Sequence, residues 1–200
     1  FAWVSMVLVQ PAFRGQGLAT RLLRHALAYL AEGGLTPILD ATPAGHAVYA
    51  RQGFGDTWGF ARWRREAAMP APVLPLPAGL RLRPWQDADA AAVAAFDRPV
   101  FGADRMALLR QLARRRPSSA WLAEDEASRL RGFVFARDGR EADQIGPLVA
   151  DDPAVGLALL DAALASLPGA VYVDLCDRHP NLLPRLQALG FEGQRPFTRM

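Results

Sequence analysis

Two stretches of this chain, 22–62 and 159–199, match without a gap when 137 is added to each residue number. Leu22, Leu23, Leu27 and Leu30 fall on Leu159, Leu160, Leu164 and Leu167. Asp40, Pro43, Gly53, Phe54, Phe60 and Arg62 fall on Asp177, Pro180, Gly190, Phe191, Phe197 and Arg199. Self-similarity at a fixed spacing signals two copies of one fold, and it restricts the chain to architectures that can be duplicated. The same register puts the counterpart of Leu80, where the second copy opens, ahead of Phe1. We therefore expect about 60 residues of the first copy to be missing from this chain, which begins with Phe rather than Met.

The clearest boundary between the copies runs from Met69 to Gly79 and contains Pro70, Pro72, Pro75 and Pro77. Proline at that density cannot sustain a helix or a central strand and makes a semi-rigid spacer. The expected organisation is residues 1–66 for the end of a first domain, 67–79 for the linker and 80–200 for a second domain. Hydrophobic periodicity predicts strands at 3–9 and 37–40 and helices at 17–32 and 44–52 in the first copy. In the second it predicts strands at 80–85, 120–123, 132–136, 143–149 and 170–175. Helices are predicted at 88–96, 104–114, from Pro153, and at 181–189. Strands alternating with helices define an α/β chain.

Composition excludes several classes. At 51% hydrophobic and 22% charged residues the chain is globular, neither disordered nor collagen-like. Cys176 stands alone and cannot form an intramolecular bridge, which points to a reducing compartment and a cytoplasmic location. No apolar run approaches the roughly 20 residues that span a bilayer, so no membrane partner is expected. All basic residues are Arg, and the net charge of +3 sits in residues 1–66. That suits an anionic ligand but is too sparse for nucleic acid. His25, His46 and His179 have no partner at metal-ligand spacing, so no metal site is expected.

The chemistry concentrates in residues 7–20. An apolar run, Val7, Leu8 and Val9, leads into Arg14, Gly15, Gln16 and Gly17, and a helix opens at Leu18, Ala19 and Thr20. A helix start exposes unpaired N–H groups and the positive end of the helix dipole, and glycines let phosphate oxygens approach the main chain. The spacing fits neither the dinucleotide fingerprint nor the P-loop. The competing reading is that Gly15 and Gly17 merely shape the turn.

This stretch resembles the acyl-CoA pyrophosphate loop of the GNAT superfamily of N-acetyltransferases: Arg or Gln, two residues, Gly, one residue, then Gly or Ala. Arg14, Gly17 and Ala19 occupy those positions, and Tyr49 followed by Gly53-Phe54 fits the helix further on. The resemblance implies two GNAT-like copies with mixed twisted sheets flanked by helices, and acetyl-CoA as acyl donor. It implies that the main chain of Val7 to Val9 pairs with the pantetheine arm and that Tyr49 protonates the departing CoA thiolate. The acceptor would be an amine of a small molecule or a peptide N-terminus, with oligomeric state left open. The alternative is a non-catalytic sensor module that binds CoA or another ligand on the same fold. In the second copy Asp151, Asp152 and Leu186 replace Arg14, Gly15 and Tyr49. Asp152-Pro153 reads as a self-capped helix start that leaves no room for CoA phosphates.

Overall fold

The computed structural model describes all residues from Phe1 to Met200. The strands are β1 (Ala2–Trp3), β2 (Pro37–Ile38), β3 (Asp40–Ala41), β4 (Trp58–Arg65), β5 (Arg81–Pro84), β6 (Trp121–Glu124), β7 (Leu130–Arg137), β8 (Asp143–Ala150), β9 (Val171–Cys176) and β10 (Glu192–Arg199). The helices are α1 (Leu18–Glu32), α2 (Pro43–Ala50), α3 (Ala90–Phe101), α4 (Met106–Arg115), α5 (Pro153–Leu164) and α6 (Leu183–Ala188). None is long and apolar enough to cross a membrane. The chain forms two compact units, Phe1–Ala61 with Arg195–Met200, and Arg62–Gln194. Their limits fall inside β4 and β10, away from the proline-rich segment.

In the second unit β5, β6, β7 and β8 form an antiparallel run, and β9 pairs parallel to β8 after the α5 crossover. β7 is covered on both sides, which is why it reads as an unbroken apolar run. Val134 and Ala136 meet Leu159, Leu160 and Ala163 of α5. Phe133 and Phe135 meet Val93 of α3 and Leu109 and Leu112 of α4. Both phenylalanines are fully buried, each contributing about 2–3 kcal/mol. Gly132 permits the α5 contact, since a Cβ there would lie 2.7 Å from the Val149 carbonyl oxygen and 2.9 Å from Leu159 Cδ1. On β5, Arg83 holds both Asp89 and Glu124, the latter 6% exposed, and Arg81 donates to the same Glu124. Arg83 holds both carboxyls below the usual carboxylate range, helped by Arg81 at Glu124 and by the Gln86 N–H at Asp89.

The proline-rich segment has no regular structure, as its composition dictates, but it is tied down. Ala68 N–H donates to the Pro168 carbonyl, Arg185 Nη1 donates to the Pro72 carbonyl, and Met69 lies against Gly190.

The first unit pairs β1 with β2 in parallel and β3 with β10 antiparallel. Its small core is Leu39, Ala41 and Met200, flanked by Val4, Tyr49 and Phe54. Met200 exchanges both backbone hydrogen bonds with Leu39 at 2.9 Å. Arg199 donates to both Asp40 oxygens and lies over the rings of Trp3 and Trp58, 4.1 and 4.5 Å from their centroids. Phe60 stacks on Phe197, its counterpart in the repeat, at 4.9 Å.

One expectation for this unit needs correction. The strand predicted at 3–9 ends at Trp3; only the Val4 N–H, donating to Ile38, extends the pairing. β2 is two residues long, so no partner backbone lies beyond it, and Met6 turns to a φ of 58°. The apolar side of α1 buries Leu23 alone, leaving Leu22 54% and Tyr29 71% exposed. The β1–β2 ladder is too narrow to cover it, whereas α5 lies over a full sheet.

Candidate functional site

In the loop between β1 and α1, the main-chain groups of Val7 and Leu8 make no backbone hydrogen bond. Leu8 is 70% exposed. A 3-10 turn over Pro11–Phe13 follows, closed by Phe13 N–H to Gln10 and Arg14 N–H to Pro11. Arg14 then bends back, its Nε donating to the Val9 carbonyl at 3.1 Å, which pins the two ends of the turn together. Gly15 and Gly17 have φ of 78° and 71°. A Cβ at either would meet nothing within 4 Å, so the left-handed backbone, and not a lack of room, is what calls for glycine.

Gly17 is the N-cap of α1 and offers no side-chain acceptor; the first turn holds no acid. Gln16 is exposed, and the N–H groups of Leu18, Ala19 and Thr20, which an α-helix cannot satisfy internally, are left for an outside acceptor. α5 starts differently. Asp152 is its N-cap, and its Oδ1 accepts from Ala154 N–H at 2.7 Å with Pro153 at the first helical position. Asp151 is paired with Arg131. In the folded chain Asp152 therefore stands at the position of Gly17, an offset of 135, where the ungapped register of 137 had set it opposite Gly15.

Tyr49 lies in α2, which Thr42 caps by accepting from Gly45 N–H at 3.3 Å. Its ring is half-buried, meeting Phe54 edge-on with centroids 6.2 Å apart, and its hydroxyl makes no hydrogen bond. The tyrosine carbonyl accepts from both Gln52 and Phe54, and Gly53 turns to a φ of 91° to end the helix. Val4 packs with Tyr49 in the shared core, and Arg24 of α1 donates to Gln52 at 3.1 Å, so one unit carries both the loop and the tyrosine. No hydrogen bond joins Tyr49 to the loop. The residue matched to it in the second copy, Leu186, is fully buried and has no hydroxyl.

Sequence reasoning missed two features of this unit. His46 Nε2 lies 2.7 Å from Asp56 Oδ1, a pairing made by the turn after α2. The ion pair of Arg199 with Asp40 joins residues at opposite ends of the chain; the recurrence of Asp40 and Arg62 in the repeat marked both residue types, but not which would pair. No three His, Cys, Asp or Glu side chains gather where they could share a metal ion.

A mixed sheet flanked by six helices, with one helix opening on a bare glycine turn, is the arrangement of an acetyltransferase-type fold. The comparisons agree. The acetyltransferase (GNAT) domain model matches residues 93–200 and the acetyltransferase (GNAT) family model residues 1–54. The chain belongs to the GNAT acetyltransferase family. A GCN5-related N-acetyltransferase from Sphaerobacter thermophilus superposes with a TM-score of 0.72 at 18% identity, over 96% of this chain and 69% of that one. An acetyltransferase of Pyrococcus horikoshii, described as putative, gives 0.74 at 24% over 99% and 64%. A tandem GNAT protein from the clavulanic acid biosynthesis pathway gives 0.64 at 19% over 96% and 71%. At such identities the likeness speaks to fold, and the chain spans about two thirds of the length of these structures. No curated protein matches it in sequence.

Proposed function

We propose that the chain is an acetyl-CoA-dependent N-acetyltransferase acting on an amine of a small molecule or a peptide N-terminus, and that its first copy does the work. The observation that carries this reading is the contrast between the two helix starts. α1 opens on Gly17 with three unsatisfied N–H groups, no side-chain cap and no acid in its first turn, whereas α5 has filled the same place with Asp152. A pyrophosphate fits the first and is repelled by the second.

Acetyl-CoA supplies an activated thioester. The residues of the chain supply position and a proton. Gly15 to Thr20 bind the diphosphate through the main chain, while Arg14 holds the loop in shape through Val9. The unpaired main-chain groups of Val7 and Leu8 take the amides of the pantetheine arm, with the Val9 N–H beside them, its carbonyl being held by Arg14. With the thioester held there, a neutral amine brought against its carbonyl needs little further help, because orientation removes much of the barrier. The neutral nitrogen attacks the carbonyl carbon, the C–S bond breaks as the Tyr49 hydroxyl donates its proton to the departing sulfur, the nitrogen gives up its extra proton to water as the amide forms, and Tyr49 is reprotonated from solvent.

Calorimetric titration of acetyl-CoA into Gly17→Asp and Gly17→Asn tests the reading. A Cβ at this position meets nothing within 4 Å, and Asn and Asp are isosteric and adopt the left-handed backbone at similar cost, so the comparison between the two variants isolates charge. A carboxylate about 5 Å from a phosphate charge costs roughly 1–3 kcal/mol, or about five- to 150-fold in Kd. Equal binding by the two variants contradicts the proposal. Thioester consumption with added amines separates an enzyme from a sensor, since only an enzyme turns the thioester over.

A further inference from the structure

The second unit carries a polar sheet face that plays no part in the reading above. Along β7, Phe133 and Phe135 lie under α3 and α4, but Arg137 on the same face is only half-buried. The pairing continues this row from Arg137 to Gln144 and from Gln144 to Tyr172. Arg62 and Arg64 lie over the Tyr172 ring at 5.4 and 5.5 Å, and the Tyr172 hydroxyl makes no hydrogen bond. A hydrophobic core has been given up here in favour of guanidinium groups.

The charges pair off with one left over. Arg62 grips both oxygens of Asp174 at 2.8 Å, and Arg64 meets Glu66 at 3.0 Å. Arg115 meets Asp138 and Arg116 meets Asp143. Arg137 has no carboxylate partner. Its one hydrogen bond is to the neutral Gln144 side-chain oxygen at 2.6 Å, and Gln144 passes its own donor on to Asp174 at 3.1 Å. Burial, with Arg115 and Arg62 nearby, makes Arg137 harder to keep charged, and only Asp174 offsets this. The Arg64 Nε is buried and also unpartnered. A partly desolvated guanidinium without a counter-ion is costly, and its planar fork suits a two-oxygen anion.

We propose that this face binds a small organic carboxylate as the counter-ion of Arg137. The ligand is monoanionic at the contact, because one positive charge is unmatched, and Gln144 holds the guanidinium in place from the side. The site rests on residues of the second unit alone, so it stands or falls independently of acetyl-CoA binding by the first.

The test is a titration of the full ¹⁵N-labelled chain, followed by its arginine Nε–Hε resonances, with succinate and separately with inorganic phosphate at constant ionic strength. The expected result is a saturable shift of the Arg137 resonance with succinate in the wild type; the neighbouring Arg62 and Arg64 resonances, which persist in the variants, should report binding weakened about tenfold or more in Arg137→Met and less in Arg137→Lys, which keeps the charge but loses the fork. The wild-type titration decides the matter even if Arg137→Met fails to fold. Linear shifts without saturation, or the same curve in folded Arg137→Met, would overturn the site. Saturation by phosphate and not by succinate would overturn the carboxylate assignment.

Discussion

Deletion of Arg199 and Met200 should dismantle the first unit while leaving the second folded. Met200 is 5% exposed in a core whose other fully buried members are Leu39 and Ala41, so losing it removes about 2 kcal/mol of burial. The two backbone hydrogen bonds between Met200 and Leu39 contribute about 1 kcal/mol each. The Arg199 contacts with Asp40, Trp3 and Trp58 add roughly 1–2 kcal/mol. The sum, about 5 kcal/mol, equals the whole stability of a marginal domain. Hydrogen exchange followed by mass spectrometry reads the two units separately. The expected result is loss of protection across α1 and α2 with β6, β7 and α5 unchanged, together with loss of acetyl-CoA binding. If α1 and α2 keep their protection in the truncated chain, the C-terminal strand is dispensable to the first unit and the reasoning fails.

Tyr49→Phe removes a hydroxyl that has no structural hydrogen bond, so the melting temperature should stay put while turnover falls about 100-fold at unchanged acetyl-CoA affinity; full activity would remove Tyr49 from the mechanism. Glu124→Gln should destabilise the second unit by about 2 kcal/mol in urea melts, because Arg83 and Arg81 lose a buried counter-charge. The same pairing fixes a pH dependence. Glu124 and Asp89 have folded-state pKa values below their unfolded ones, so their contribution is fully present above about pH 4–5 and is lost as pH falls through the folded values. Urea midpoints of the wild type should therefore drop on acidification below about pH 4, and less steeply in Glu124→Gln. Asp152→Ala should cost the second unit about 1 kcal/mol through the lost cap.

The elements whose signals are local were legible in the sequence. The α1 span is met to within a residue, because its apolar period and the Gly33-Gly34 stop are local features. Asp152-Pro153 announced its own capped helix, and proline density announced a segment without regular structure. What escaped depends on partners distant in sequence. Val4 to Val9 has strand composition, yet a strand needs a neighbour, and β2 offers only two residues of edge. β4 mixes arginine with aromatic residues and β10 is largely polar, so neither has a clear inside or outside in sequence; the structure uses Phe60 against Phe197 and Arg199 against Trp58. The repeat register drifts from 137 to 135 at the helix starts and to 134 between the first residues of β4 and β10, because the two copies differ in loop length. Around the site, the glycine turn was readable from the residues, whereas Tyr49 was marked only by the family resemblance. The His46–Asp56 pair and the uncompensated Arg137 were not, since each depends on which side chains the fold brings together.

The central claim is that one helix start of the two serves acetyl-CoA, and stoichiometry tests it most directly. Calorimetric titration of acetyl-CoA into the full chain should give one molecule bound per chain, undisturbed by Asp152→Ala and weakened in Gly17→Asp relative to Gly17→Asn. Two molecules per chain, or none, would contradict it.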